Sequence, residues 1–153
     1  MSKILVKGGL IVDGSGELPY KGNLLIEDDK ISKLSKEEIL GDFDKVIDAS
    51  GKIVSPGFID IHRHCDAKPF NSEDFGDCML LQGITSTVVG NCGISMTPAP
   101  ANRDDAYAMY KFHEPVLGPI EAGFVTTYDD YLNALDKVKL PLNFASMIGF
   151  GSL

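Results

Sequence analysis

The chain has 153 residues, 44% hydrophobic and 24% charged, with 14 Lys and Arg against 22 Asp and Glu for a net charge of −8. Such a length and composition fit one soluble globular domain able to bury a core, and the acidity argues against nucleic acid or an anionic membrane as partner. The early apolar runs at 4–6 and 10–12 are too short for a secretory signal or a membrane span, and Cys65, Cys78 and Cys92 match no disulfide scaffold, so reduced thiols in the cytoplasm are expected.

Residues 1–55 read as β. Two short apolar runs between Lys3 and Val12 surround Gly8-Gly9, and Asp13-Gly14-Ser15-Gly16 supplies a turn. Asn23 to Ile26 and Ile31 to Leu34 flank Glu27-Asp28-Asp29-Lys30, which reads as a four-residue hairpin loop. Val46-Ile47 and Ile53-Val54 flank a second tight connection, Ala49-Ser50-Gly51-Lys52. Short strands with Gly- and Asp-bearing connections predict a small antiparallel β-subdomain.

After Pro56 the grammar changes. Gly57 to His64 predicts a strand. Glu73 to Gln82 carries Phe75, Cys78, Met79 and Gln82 at helical spacing, with Gly83 as the stop signal. Ile84 to Val89 is a β-branched strand that runs into Gly90-Asn91-Cys92-Gly93. Strand, helix and strand within about thirty residues form a βαβ unit with a parallel sheet. Residues 95–127 read as loop, with Pro98, Pro100, Pro115 and Pro119 and a weak helical pattern from Asp104 to Phe112. Tyr128 to Val138 predicts a helix, with Tyr128, Tyr131, Leu132 and Leu135 on one side, and Leu142 to Ile148 a third strand.

The chemistry follows Pro56. Side chains alternate along a strand, so His62 and His64 are expected to leave one face with Asp60 and Phe58, while Arg63 points the other way. Two imidazoles at a strand end can converge on one cation, and the loop end of a parallel strand is where such folds keep their sites. The pair is therefore read as metal ligands rather than as hydrogen-bonded core histidines. For Cys92, spacing leaves two readings open: a small buried thiol, or a thiolate held beside a cation. Asp60 shares the histidines' face and could orient an imidazole from behind. Asp66 lies in the following loop, where aspartates are commonly solvated, and position favours a supporting role for it too. Cys65 and Cys78 read as structural, Arg63 as a contact on the outer face of the strand, and His113 as a solvated loop residue. The chain has no phosphate-binding glycine loop, nucleophile elbow or Cys-x-x-Cys motif.

The stretch Asp48-Ala-Ser-Gly-Lys-Ile-Val-Ser-Pro-Gly-Phe-Ile-Asp-Ile-His-Arg-His64 resembles the start of the metal-dependent amidohydrolase superfamily. There a small β-subdomain precedes a (β/α)8 barrel. Leu81 to Ser95, with its Gly-Asn-Cys-Gly element, and Thr127 to Asp136 are similar to the D-aminoacylase (N-acyl-D-amino-acid deacylase) branch. The resemblance implies an α/β fold, with residues 1–55 as the β-subdomain and 56–153 as the first three strands of the barrel, incomplete in this chain. It also implies zinc as cofactor, His62 and His64 as ligands from the first barrel strand, and Cys92 as the thiolate ligand from the second. Related dihydroorotases and hydantoinases commonly use a carboxylated lysine instead. No catalytic residue is implied here, because the general base of the branch is an aspartate on the last strand, expected beyond Leu153.

The implied reaction is zinc-dependent hydrolysis of a linear amide, namely deacylation of N-acyl-D-amino acids. A metal-activated water attacks the carbonyl, and a carboxylate passes its proton to the leaving amine. The implied partners are a small N-acyl amino acid substrate and the missing C-terminal part of the same enzyme, since a (β/α)8 barrel needs at least about 200 residues. A cyclic-amide hydrolase, and a catalytically inert barrel relative or half-domain, stand as alternatives. One departure motivates the last. The family's third strand often closes as Gly-His-Gly-Thr/Ser-Leu-Arg, whereas this chain has Gly149-Phe150-Gly151-Ser152-Leu153, and Phe150 can neither ligate nor titrate.

Overall fold

In the computed structural model, which describes residues 2–119 and 125–152, the chain divides into two units, Met1–Pro56 and Gly57–Leu153. The first is built around β1 (Lys3–Ile11). It pairs antiparallel with β2 (Tyr20–Glu27), which pairs antiparallel with β3 (Lys30–Ser35) across the two-residue turn Asp28-Asp29. The register of β1 against β2 slips between Val6 and Gly9, so the Gly8-Gly9 pair marks a bulge within one strand rather than a break between two.

This sheet is mixed, not antiparallel. Both β4 (Lys45–Asp48) and β5 (Ile53–Val54) run parallel to β1, against Ile4–Lys7 and Leu10–Ile11 respectively. Ala49–Lys52 is therefore a jog along one edge, not a hairpin. Strand direction explains the correction. β3 runs the same way as β1, so the connection over residues 36–44 must carry the chain back before β4 can start. Its end is fastened there by Asp44 N–H to the Lys3 carbonyl at 2.9 Å and Lys3 N–H to Asp44 Oδ2 at 2.7 Å.

The second unit holds a parallel sheet in sequence order: β6 (Phe58–Asp60), β7 (Ile84–Val89) and β8 (Asn143–Ser146). Two one-turn helices, α1 (Lys68–Asn71) and α2 (Asp77–Leu80), lie between β6 and β7. Between β7 and β8 come α3 (Arg103–Leu117) and α4 (Tyr128–Leu135). The core gathers Ala67, Met96, Leu117, Val125, Tyr131 and Leu135. Ala67 and Met96 belong to the segments that follow β6 and β7, so the core pins both segments from below.

Three expectations change here. The strand expected over Gly57–His64 ends at Asp60, which leaves both histidines on irregular backbone. The helix expected over Glu73–Gln82 shrinks to α2, preceded by turns. The loop expected over residues 95–127 contains the longest helix, α3, while its stretch 120–124 lies outside the described residues. Asn102 caps α3 by accepting from the amides of Asp104 and Asp105 at 2.8 and 3.3 Å. Ala106, Tyr110, His113 and Leu117 form its buried stripe. Pro115 stands in the last turn of α3 and removes the one N–H that would reach the Lys111 carbonyl, while Gly118 N–H still closes the helix on the Glu114 carbonyl at 3.0 Å. No helix among the described residues is long and apolar enough to cross a membrane.

Candidate metal centre

The segments leaving β6 and β7 meet at their C-terminal ends. His62, His64 and Cys92 each place one donor atom within 4.8 Å of the others. His62 Nε2 lies 3.1 Å from Cys92 Sγ, and the two imidazoles stand edge to face with centroids 5.6 Å apart. His62 and Cys92 are exposed, and His64 is half-buried.

The donors come together because the two segments are tied together. Arg63, between the histidines, gives its backbone N–H to the Val88 carbonyl at 3.2 Å. The side-chain amide of Asn91, which is 7% exposed, donates to the same Val88 carbonyl at 2.9 Å and to the Arg63 carbonyl at 3.3 Å. Asn91 to Ile94 then close a turn, with Ile94 N–H on the Asn91 carbonyl at 2.9 Å. Cys92 and Gly93 both have positive φ there, 58° and 75°.

The segment after β8 backs this turn. Gly151 N–H reaches the Gly93 carbonyl at 2.7 Å. Ser95 N–H donates to Ser152 Oγ at 3.0 Å, and Ser152 Oγ returns a bond to the Ser95 carbonyl at 3.0 Å. A β-carbon on Gly90 would stand 2.1 Å from the Met147 carbonyl oxygen, and one on Gly149 2.5 Å from Gly93 main-chain atoms. Phe150, carried on this locked backbone, is 86% exposed.

The carboxylates behave differently from expectation. Asp60 does not reach an imidazole. Its carboxylate takes the Arg63 Nε–H at 2.7 Å and the backbone N–H of His62 at 3.1 Å. The Arg63 guanidinium, then that amide, hold it below the usual carboxylate range. Arg63 therefore turns back to Asp60 instead of serving only the outer face of a strand, because the strand has ended. Asp66 is not solvated. It is wholly buried, and neither carboxylate oxygen has a well-formed hydrogen bond. Burial pushes its carboxyl up to about 6, against a weaker opposing pull from the amides of Asp66, Gly90 and Cys65 nearby. Its main-chain carbonyl accepts the Tyr131 hydroxyl at 2.9 Å.

Cys65 is buried, and desolvation, with Asp66 adding to it, raises its thiol to about 12, which suits an inert structural role. Cys78 is exposed on α2. His113 is a buried helix residue, not a solvated one, and burial lowers its pKa.

The donor set fits a zinc ion. Tetrahedral zinc with nitrogen at about 2.0–2.1 Å and sulfur at about 2.3 Å keeps its donors roughly 3.3–3.6 Å apart. The separations here, from 3.1 Å to within 4.8 Å, bracket that range, so small side-chain movements bring all three onto one ion. The Nδ1 of His64 is also buried without a hydrogen-bond partner, an unsatisfied state that native structures seldom leave unexplained. Two surface hollows of about 540 and 900 Å³ lie elsewhere, beside Phe70 and Val138. They share no residue with the donor set, and the convergence of three metal-competent donors outweighs concavity in locating the site.

A parallel α/β unit with a His-x-His segment and a cysteine at adjacent strand ends is a scaffold able to hold a metal ion. The profile of the Amidohydrolase family matches residues 45–153, and the chain belongs to that family. It is 34% identical over 152 residues to the N-acyl-D-glutamate deacylase of Alcaligenes xylosoxydans xylosoxydans, covering 98% of this chain and 29% of that protein. The crystal structure of N-acyl-D-glutamate deacylase from Bordetella bronchiseptica, complexed with zinc and a phosphonate mimic of the reaction's tetrahedral intermediate, matches with a TM-score of 0.76 and 35% identity over 97% of this chain and 30% of that one. A D-aminoacylase structure concerned with a binuclear metal centre, with one-metal activation and second-metal attenuation, matches with a TM-score of 0.76 and 30% identity over the same shares. The chain thus spans about 30% of the length of these relatives.

Of the residues singled out from sequence, His62, His64 and Cys92 converge, while the Asp60 carboxylate is taken up by Arg63 and the His62 amide and the Asp66 carboxylate is buried. Asn91 was missed as a link between the two ligand segments. Its position inside Gly-Asn-Cys-Gly was a signal, but its partner Arg63 is visible only once the strands are paired.

Proposed function

We propose that this chain is the N-terminal part of a zinc-dependent deacylase of N-acyl-D-amino acids, with His62, His64 and Cys92 as metal ligands. The convergence of those three donors within 4.8 Å carries the reading, and the likeness to deacylases, one of them solved with zinc, supports the substrate class. β6, β7 and β8 would be the first three strands of a (β/α)8 barrel. Three consecutive strands, parallel and in sequence order with helices in each connection, fit that architecture, and the donors lie at the strand ends where barrel enzymes carry their chemistry. Residues 1–56 would be the accompanying β-subdomain.

Bound zinc would supply Lewis-acid polarisation of the amide carbonyl and acidify the attacking water. The chain's own residues hold and aim it. His62 and His64 offer neutral ring nitrogens and Cys92 a soft sulfur. Asp60, clamped by Arg63, fixes the backbone amide of His62. Asp66 anchors the histidine segment to α4 through its main-chain carbonyl and Tyr131. The general base is assigned to an aspartate outside these residues, and the rest of the enzyme is the partner that completes the site. A cysteine ligand also favours the deacylase reading over a cyclic-amide hydrolase, whose relatives use a carboxylated lysine. The three unpaired thiols fit a cytoplasmic enzyme.

The test is release of free D-amino acid from N-acetyl-D-amino acids by the full-length protein, followed with a chiral assay. Activity on the D form, lost in His62→Ala and Cys92→Ala, is expected. Equal turnover of the L form, or full activity in Cys92→Ala, contradicts the reading.

A further inference from the structure

We infer that Asn91 is a positioning residue that sets the affinity and geometry of the metal site by stapling the histidine segment to the cysteine turn. The inference rests on the metal reading above and deepens it. Two independent features carry it.

The first is the donor count. An amide Nδ2 has two hydrogens, and here both are used: one on Val88 O at 2.9 Å, the other on Arg63 O at 3.3 Å. Arg63 lies between the two histidines, and Asn91 immediately precedes the cysteine. One side chain therefore fixes the spacing of all three donors. An aspartate of the same shape has no such hydrogens and would set a negative charge against two carbonyl oxygens.

The second is the backbone of Cys92. Its φ of 58° lies in the left-handed region, where a β-carbon crowds the following carbonyl oxygen. Such a conformation persists only where its surroundings over-determine it. The turn bond from Ile94 N–H to the Asn91 carbonyl holds one end. The Asn91 side chain holds the start of the same turn against β7 and the histidine segment. Without it, Cys92 is free to relax toward negative φ, and its sulfur swings out of the donor set.

Cobalt is the probe, because its charge-transfer band reports the cysteine sulfur directly. Asn91→Asp and the smaller Asn91→Ser, which keeps a single donor, are titrated with Co2+ beside wild type. The control is Asn23→Ser in the other unit. That amide is 9% exposed and likewise bridges main chain, accepting from Gly8 N–H and donating to the Glu37 carbonyl, both at 3.0 Å. We expect Co2+ affinity to fall about 10- to 100-fold in Asn91→Asp, with a weakened thiolate band, a smaller loss in Asn91→Ser, and no change in Asn23→Ser. Should Asn91→Asp not fold, Asn91→Ser alone decides. Asn91 variants that bind Co2+ with the wild-type affinity and band overturn the inference while leaving the metal site standing. Wild-type protein that shows no cobalt–thiolate band overturns the metal reading and the inference together.

Discussion

Gly90 and Gly149 allow main chains to touch where side chains could not. At Gly90 the φ is 78° and a β-carbon would meet the Met147 carbonyl at 2.1 Å, so Gly90→Ala combines backbone strain with a clash against backbone. It should destabilise the protein by more than about 1 kcal/mol, seen as a lower urea midpoint. Phe150→Ala, by contrast, removes a side chain that is 86% exposed and should fall within about 0.5 kcal/mol of wild type in the same titration. The two histidines and Cys92 were legible in the sequence because their chemistry is uncommon and their flanking turns are strong signals. Asp66 and His113 were not. The hydroxyl bonded to Asp66's own carbonyl is on Tyr131, 65 residues away, and the burial of His113 depends on a helix that proline content concealed.

At the level of elements, α4 begins with a capping box. Thr127 Oγ1 accepts the Asp130 amide at 3.1 Å, while the Asp130 carboxylate accepts the Thr127 amide at 3.0 Å. Thr127→Ala should cost about 1 kcal/mol, measured by chemical denaturation at pH 7. The carboxylate half is pH-dependent. Its bond to the Thr127 amide lowers the folded pKa of Asp130 below 3.8, so the contribution is present above the unfolded value and lost as pH falls through the folded one. Asp130→Asn should therefore lower the unfolding midpoint at pH 7, by an amount that shrinks as pH falls through the folded value. The helix expected over Tyr128–Val138 was readable from its apolar spacing, although it ends three residues earlier, at Leu135. The parallel pairing of β4 and β5 was not, since local turn residues resemble a hairpin whichever way the chain has travelled before them. The short β6 was misjudged for a related reason: alternation of residue types continues to His64, but its ladder to β7 ends at Asp60.

For the whole molecule, the family match over residues 45–153 takes in β4, β5 and the parallel unit, and the chain spans about 30% of its relatives. If zinc links the β6 and β7 segments, it stabilises the folded state by mass action. A chelator should lower the melting temperature of wild type and leave that of Cys92→Ala unmoved. The central claim is that one ion is shared by the two histidines and the cysteine. X-ray absorption at the zinc edge of the purified, zinc-loaded protein tests it most directly. One sulfur at about 2.3 Å with nitrogen at about 2.0–2.1 Å is expected, with loss of the sulfur shell in Cys92→Ala. A wild-type spectrum with only nitrogen and oxygen neighbours would contradict it.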